Sequence, residues 1–214
     1  MKAIVRQNYG PPEDLRLEEV ATPTPAEDEL LVRVHAASIN LGDWELLTGK
    51  PAFIGLLANL FTHKQDYEFA SGSVTKSKEA FFSPKAKILG TDFAGRVEAV
   101  GRAVSQFQVG QDVFGMTEKF GAFAEYLTVS EKAPIVEKTG GMSYEQAAAL
   151  PQATHIALQA IRDKAHVKPG QKVLVNGAGG GAGTLAVQLA KMYGAEVTGV
   201  DGPSKQEMLR SIGA

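Results

Sequence analysis

The chain has 214 residues and a formal net charge of −2, from 22 Lys and Arg against 24 Asp and Glu. Hydrophobic residues make up 44% and charged residues 21%, which argues against wholesale disorder and predicts one or two folded domains. Because there is no basic excess, a nucleic-acid-binding protein is disfavoured. There is no apolar run long enough to cross a membrane, and the N-terminus lacks the apolar core of a signal peptide. We therefore expect no membrane partner and a cytoplasmic location.

The residue types available limit the metal chemistry. The sequence contains no cysteine. This excludes disulfides, thiolate nucleophiles and every zinc site that needs a cysteine ligand. The four histidines are scattered without the spacing of a metal site, at His35, His63, His155 and His166. We therefore predict that the chain holds no metal.

The first half of the sequence is predicted to be rich in β-strands. Short runs of Val, Ile, Phe and Ala alternate with Gly and Pro clusters, which is typical of a small barrel or sandwich. The predicted strands are 2–6, 30–37, 96–100, 112–115 and 122–129. Residues 54–61 are compatible with one or two helical turns. Residues 62–86 are predicted to be a long inserted loop, either a lid over a pocket or a plain insertion.

From residue 139 onward the pattern changes to alternating helices and strands. Ser143-x-x-Gln146 is a capping-box pattern that predicts the start of a helix, which Pro151 then interrupts. Strands are predicted at Lys172–Asn176 and Glu196–Val200, with helices at 153–165, 181–193 and 203–212. This order is typical of a parallel sheet built from β-α-β units. We place the domain boundary in the 130–150 region, with domains at 1–138 and 139–214.

A glycine-rich loop joins the strand at Lys172–Asn176 to the next helix. Small residues there let the chain turn sharply and let the backbone approach a pyrophosphate, while the helix N-terminus offers free N–H groups to the anion. The spacing Ala178-x-Gly180-x-x-Gly183 therefore predicts a dinucleotide site, with a flexible turn as the alternative. The predicted loop residues are Ala178, Gly179, Gly180, Gly181, Ala182 and Gly183.

The residues that follow the predicted strand Glu196–Val200 bear on the choice between NADH and NADPH. Asp201 lies about 20 residues after the loop, where a carboxylate accepts hydrogen bonds from the adenosine ribose and favours NADH. Ser204 and Lys205 offer a hydroxyl and an ammonium group to a 2′-phosphate, which favours NADPH. The same residues are also typical of a plain helix start with a solvated lysine. On balance we predict NADPH, with NADH as the alternative.

Segments along nearly the whole chain, 62–86 excepted, match one known pattern. They include ILGTDFAGRVEAVG, FQVGQDVFG, GAFAEYLTV and VKPGQKVLVNGAGGGAGTLAVQLAKMYGAEVTGV. In these segments the sequence resembles the zinc-free quinone oxidoreductase-like branch of the medium-chain dehydrogenase/reductase superfamily. The resemblance implies an α/β protein, with a GroES-like β-barrel domain, a Rossmann doubly wound parallel sheet and an active site in the cleft between them. It also implies NAD(P)H-dependent hydride transfer to a quinone, enone or other carbonyl acceptor.

The resemblance further implies roles for residues outside the glycine loop. Asn40 matches a family asparagine near the nicotinamide ribose and the substrate, where its amide would donate to the acceptor oxygen. The alternative for Asn40 is a turn-forming role. Asn40, Asp43 and Tyr9 are the predicted catalytic residues. Asp43 matches a family aspartate that is expected to order the local backbone, with an acid role as the alternative. Tyr9 matches a position that often faces the cleft, with packing on the barrel as the alternative. Thr154 is expected to contact the cofactor from the helix before the loop, whereas His155 is expected to be a packing or surface residue.

The sequence also departs from its relatives. The zinc-binding branch carries Cys-His in the region of Asn40 and Leu41, and His-Glu in the region of Thr91 and Asp92. All four ligands are replaced here, so the resemblance implies no catalytic zinc. Family members continue with further Rossmann strands, so half of the cofactor site is expected to be missing. The alternative function is therefore a truncated, non-catalytic nucleotide-binding or interaction module, and an open sheet edge would favour homo-oligomers.

Overall fold

A computed structural model describes residues 1–48, 87–117 and 119–214. These residues form two compact units, Met1–Ala149 and Leu150–Ala214. The helical turns considered at 54–61 and the inserted loop predicted at 62–86 lie outside the described residues. Within the described part of the chain, no helix is long and apolar enough to cross a membrane.

The first unit is built mainly from antiparallel strands. They are β1 (Lys2–Val5), β2 (Arg16–Glu19), β3 (Glu29–Ala37), β4 (Asp92–Val100), β5 (Asp112–Met116), β6 (Tyr126–Ser130) and β7 (Ile135–Glu137). β1 pairs with β2, and the other five form a sheet in the order β6-β3-β4-β5-β7. Isolated bridges from Ala3 to Ala124 and from Val5 to Ile88 join β1 to the segments around this sheet. The expected β-rich first unit is confirmed.

Alternating burial along the central strands creates the core of the first unit. Leu30 and Val32 of β3 are fully buried, as is Phe93 of β4. They cluster with Val113 and Leu127 from the flanking strands. Each such side chain contributes about 1.5–3 kcal/mol when it is fully buried. This cluster therefore holds the sheet together and fixes the positions of the segments that leave it.

Two short helices complete the first unit, α1 (Leu41–Thr48) and α2 (Tyr144–Ala148). The predicted capping box at the start of α2 is confirmed. The Ser143 hydroxyl accepts a hydrogen bond from the Gln146 N–H at 3.2 Å, and the Gln146 side-chain oxygen accepts one from the Ser143 N–H at 3.0 Å. This reciprocal pair satisfies two N–H groups that the helix itself leaves free.

The packing of α2 decides where the first unit ends. Ala147 and Ala148 are buried against Ala94 of β4, so this helix packs on the antiparallel sheet. The first unit accordingly extends to Ala149, still within the 130–150 region. Residues 139–149, which were predicted to belong to the second domain, lie in the first unit.

The second unit is a β-α-β arrangement. It contains α3 (Pro151–Leu158) with a π-helical continuation (Gln159–Lys164), β8 (Lys172–Asn176), α4 (Gly181–Met192), β9 (Glu196–Val200) and α5 (Gln206–Ser211). β8 and β9 are parallel, in register from Lys172 opposite Glu196 to Asn176 opposite Val200. The predicted bounds of both strands and their parallel pairing are confirmed. The core includes Val187 of α4 and Leu209 of α5.

Several predicted boundaries need correction. The strand expected at 122–129 begins only at Tyr126, because the N–H groups of Ala122 and Phe123 donate to the 89–90 segment instead of to a sheet neighbour. The strand expected at 96–100 begins earlier, at Asp92. The helix expected at 203–212 starts as a 3-10 turn over Pro203–Lys205. β2 and β7 were not predicted.

Candidate functional site

Gly177 turns the chain at the end of β8. Its φ is +73°, in the left-handed region that favours glycine. The N–H groups of Gly177 and Ala178 both donate to the Val200 carbonyl, at 2.9 and 3.1 Å, which joins the loop to the end of β9. Gly177 was missing from the predicted loop residues. The sequence signal that could have identified Gly177 is a glycine directly after a predicted strand.

Gly183 brings the first turn of α4 against the loop. A Cβ atom on this residue would lie 2.1 Å from the Gly177 carbonyl oxygen and 2.8 Å from the Ala178 backbone. Real side chains do not approach backbone atoms so closely, so only glycine allows this contact. Ala178 is itself fully buried, in the same core cluster as Val187 of the helix. The small residues in the predicted spacing are therefore needed for the loop to pack on its own helix.

The start of α4 presents free backbone donors. Gly180 is the N-cap residue and has no side chain to accept hydrogen bonds from the first turn. The first N–H groups of a helix have no intrahelical acceptor, and the helix dipole places a partial positive charge there. Gly181, Ala182 and Gly183 form this first turn. Such an end binds phosphate groups, so the loop fits a dinucleotide pyrophosphate.

Thr154, which was predicted to contact the cofactor, lies on the helix before the loop. Its helix, α3, packs against α4, and a Cβ on Gly181 would lie 3.9 Å from the Ala153 Cβ. Thr154 Oγ1 is buried and has no hydrogen-bond partner among the described residues. An unsatisfied buried hydroxyl costs about 1–3 kcal/mol. A ligand that hydrogen-bonds to Thr154 would recover this cost.

Asp201 and Lys205 both contact Gly179 of the loop. Asp201 Oδ2 accepts a hydrogen bond from the Gly179 N–H at 2.7 Å, and Oδ1 accepts one from the Gly202 N–H at 2.7 Å. Lys205 Nζ donates to the Gly179 carbonyl at 3.0 Å and lies 3.5 Å from Asp201 Oδ1. The hydrogen bonds from Gly202 and Gly179 hold the pKa of Asp201 below its usual value. Ser204 is exposed in the intervening 3-10 turn.

Asp43 orders the backbone around Asn40 in the first unit. Its side chain is 4% exposed. Oδ2 accepts a hydrogen bond from the Asn40 N–H at 2.9 Å, and Oδ1 accepts one from the Gly90 N–H at 3.0 Å. Burial raises the pKa of Asp43, and the two backbone hydrogen bonds oppose that rise. Asp43 therefore connects the start of α1 to the segment before β4.

The Asn40 side chain begins a hydrogen-bonded chain of polar groups. Its Nδ2 donates to Ser38 Oγ at 3.3 Å, and Ser38 Oγ donates to Asp92 Oδ2 at 3.5 Å. Thr91 Oγ1 donates to the other Asp92 oxygen at 3.2 Å. The fold thus brings together the two regions that hold zinc ligands in the other branch of the superfamily. Sequence reasoning missed Ser38, because no motif singles it out.

Tyr9 packs against a buried arginine. The guanidinium carbon of Arg6 lies 5.2 Å from the centre of the Tyr9 ring, and Arg6 Nη1 donates to the Leu46 carbonyl of α1. Arg6 is 3% exposed, and its burial lowers its pKa. The arginine therefore links the Tyr9 segment to α1. Arg6 was not predicted as a buried residue, because a charged residue at a strand end is usually solvated.

The remaining predicted residues have simpler environments. His155 Nε2 lies 3.0 Å from Gln159 Nε2 on its own helix. Within the residues that the structure describes, no three His, Asp or Glu side chains are grouped closely enough to hold a metal ion.

Comparison with known proteins identifies the family. The Alcohol dehydrogenase GroES-like domain matches residues 26–139, just over half of the chain. Quinone-oxidoreductase homolog, chloroplastic, from Spinacia oleracea is 33% identical over 222 residues, covering 100% of this chain and 59% of that protein. The chain belongs to the quinone oxidoreductase-like medium-chain dehydrogenases/reductases. The match spans the five-stranded antiparallel sheet described above.

This medium-chain dehydrogenase/reductase chain is also similar to other curated proteins and to solved structures. It is 34% identical over 225 residues to 2-methylene-furan-3-one reductase from Solanum lycopersicum, covering 100% of this chain and 50% of that protein. The structure of the quinone oxidoreductase from Coxiella burnetii matches with a TM-score of 0.79 and 32% identity, covering 100% of this chain and 60% of that one. Escherichia coli quinone oxidoreductase complexed with NADPH matches with a TM-score of 0.76 and 26% identity, covering 100% and 57%. The chain spans about half the length of the curated relatives it matches.

Proposed function

We propose that this chain carries the NADPH-binding and acceptor-binding parts of a zinc-independent oxidoreductase that transfers hydride to a quinone, enone or other carbonyl. The observation that supports this most is the glycine loop, where Gly177 turns the chain, Gly183 packs against it and Gly180 leaves donors free. Relatives named quinone oxidoreductase and NADPH-dependent alkenal/one oxidoreductase support the same reaction class.

The second unit would hold the cofactor. NADPH, when bound, supplies the hydride. The N–H groups at the start of α4 would bind the pyrophosphate, and the Thr154 hydroxyl would gain a partner. Ser204 and Lys205 would bind the 2′-phosphate, while Asp201 would accept from the ribose hydroxyls of NADH.

Asn40 would bind the acceptor oxygen in the first unit. Its amide nitrogen carries two hydrogens, and one is used by Ser38. The second can donate to a carbonyl oxygen as negative charge develops there. Around Asn40, the side chains of Ile39, Leu41 and Trp44 are 82%, 72% and 50% exposed. Such an apolar surface suits a planar quinone or enone, and Tyr9 is proposed as a further acceptor contact.

The donor set supports zinc independence. Where the zinc branch has Cys-His and His-Glu, this chain has Asn40-Leu41 and Thr91-Asp92. An amide, an alkyl group, a hydroxyl and a single carboxylate do not fit a zinc site of that type. Polarisation of the acceptor would therefore come from hydrogen bonds. A homo-oligomer and a cytoplasmic location are proposed from the sequence alone.

The test is NADPH oxidation, followed by loss of NADPH absorbance, with 1,4-benzoquinone or trans-2-hexenal as acceptor and EDTA present throughout. We expect turnover that EDTA does not change. Asn40→Ala should lower kcat about 10- to 100-fold and raise the NADPH dissociation constant by less than about threefold. The exposed Asn8→Ala is the matched control. NADPH binding without any turnover would instead support the non-catalytic module, and turnover lost in EDTA would contradict zinc independence.

A further inference from the structure

Both backbone polar groups of Gly179 are bound by side chains that follow β9. Asp201 accepts from its N–H at 2.7 Å, and Lys205 donates to its carbonyl at 3.0 Å. The two side chains also form an ion pair, with 3.5 Å between Lys205 Nζ and Asp201 Oδ1. Gly179, Asp201 and Lys205 thus form a closed set of interactions, which we call the Gly179 clasp.

The clasp occupies the ammonium group that a 2′-phosphate would bind. We propose that Asp201 limits the preference for NADPH by competing with the 2′-phosphate for Lys205. This inference rests on the proposed function, since it assumes that the nucleotide binds at this loop. A 2′-phosphate must draw Lys205 away from Asp201 and must then lie near the carboxylate. A ribose 2′-hydroxyl meets neither obstacle, so the natural chain should discriminate only modestly between the two cofactors.

Charge and burial at the clasp favour this competition. The Asp201 side chain is 16% exposed and accepts two backbone hydrogen bonds, which keeps it ionised at neutral pH. Lys205 is 45% exposed, so its ammonium can turn toward a ligand while its neighbour stays fixed. The carboxylate of Asp201 is therefore fixed, and the ammonium of Lys205 is free to bind either this carboxylate or a 2′-phosphate.

Gly179 adds a steric condition for the clasp. A Cβ atom on this residue would lie 2.3 Å from Lys205 Cδ and 3.0 Å from Asp201 Oδ2. Gly179→Ala should therefore displace Lys205 without changing any charge. The clasp thus depends on the glycine as well as on the ion pair.

The experiment measures calorimetric binding of 2′,5′-ADP and 5′-AMP to the full chain at constant ionic strength. Asp201→Asn keeps an oxygen acceptor for the Gly179 N–H but removes the charge. We expect it to strengthen 2′,5′-ADP binding about tenfold and to change 5′-AMP binding less than about threefold. Lys205→Met should weaken 2′,5′-ADP binding about tenfold. In the Lys205→Met background, Asp201→Asn should lose the part of its effect that comes from freeing the ammonium, and should keep only the smaller effect of removing the repulsion between the carboxylate and the 2′-phosphate.

The controls use an ion pair that joins the two parallel strands at the end away from the loop. Lys172 and Glu196 are 3.9 Å apart and exposed at the far ends of β8 and β9 from the loop. Lys172→Met and Glu196→Gln make the same charge changes and should leave the ratio of the two affinities unaltered. If Asp201→Asn leaves the ratio of the two affinities unchanged, the inference is overturned but the proposed function is not. The same holds if the effect of Asp201→Asn on this ratio persists fully in the Lys205→Met background. Failure of the folded natural chain to bind either nucleotide would overturn the proposed function and the inference with it.

Discussion

At the scale of single residues, contact between Gly183 and the loop determines the shape of the nucleotide site. Gly183→Ala would place a Cβ 2.1 Å from the Gly177 carbonyl, so the loop or the helix must move. We expect a loss of about 1–3 kcal/mol in the free energy of unfolding, measured by urea denaturation. Gly202→Ala is the control, because a Cβ there meets nothing within 4 Å. Equal stability of the two variants would contradict the packing argument.

Asp43 makes a second prediction at this scale. It satisfies two backbone N–H groups while buried, and an asparagine has only one oxygen to replace its two. Asp43→Asn should therefore lower the free energy of unfolding by about 1–3 kcal/mol. Asp14→Asn, at an exposed position, should change it little. Urea denaturation of both variants measures the difference, and a similar small effect in both would contradict the ordering role of Asp43.

The sequence could identify Asp201 and Lys205 as alternative contacts for the cofactor, but not their joint contact with Gly179. That contact depends on where the turn after β9 returns relative to the loop, which no local pattern encodes. Ser38 and Arg6 escaped prediction for the same reason. Their roles come from partners about 40 or more positions away, Asp92 and Leu46.

At the scale of elements, a polar network fastens α2 to the sheet. Asp112 of β5 accepts hydrogen bonds from Arg96 Nε of β4 and from the Tyr144 hydroxyl of α2, each at 2.8 Å. The Tyr144 ring also stacks on His35 of β3, with 4.3 Å between ring centres. One carboxylate thus joins two strands and a helix.

This network predicts a pH dependence of stability. The hydrogen bond from Arg96 holds the pKa of Asp112 below its ordinary value of 3.8, and the hydrogen bond from Tyr144 lowers it by a smaller amount. A lowered pKa stabilises the folded state above pH 3.8, and the contribution is lost as the pH falls through the folded-state pKa. The stability difference between the natural chain and Asp112→Asn should be constant from about pH 5 to 8 and should narrow in acid. Thermal unfolding across this range measures it, and a difference that widens in acid would contradict the account.

Elements were predictable where sequence pattern and packing agree. β8 and β9 are short apolar runs bounded by glycine or polar turns, and their bounds match the prediction. β2, with the sequence RLEE, exists only because it pairs with β1. β7 has three residues and pairs with β5. Strands that depend on a distant partner carry too few apolar residues to be recognised alone.

At the scale of the whole molecule, the chain combines a GroES-like antiparallel unit with a β-α-β unit that carries the glycine loop. Strand spacing and motif order predicted a β-rich first unit and a β-α-β second unit, because each unit has its own hydrophobic periodicity, and the resemblance to the family implied the GroES-like fold of the first. The domain boundary was predicted within the 130–150 region. Its position after Ala149 depends on the contact of α2 with Ala94, which requires the folded sheet.

Calorimetric titration of the full chain with NADPH, and separately with NADH, tests the central claim most directly. We predict one site with a dissociation constant in the micromolar range for NADPH, somewhat weaker binding of NADH, and binding weakened about tenfold or more in Gly183→Ala. Absence of binding heat with both cofactors, from a natural chain shown by circular dichroism to be folded, would contradict the assignment of the glycine loop as a dinucleotide site.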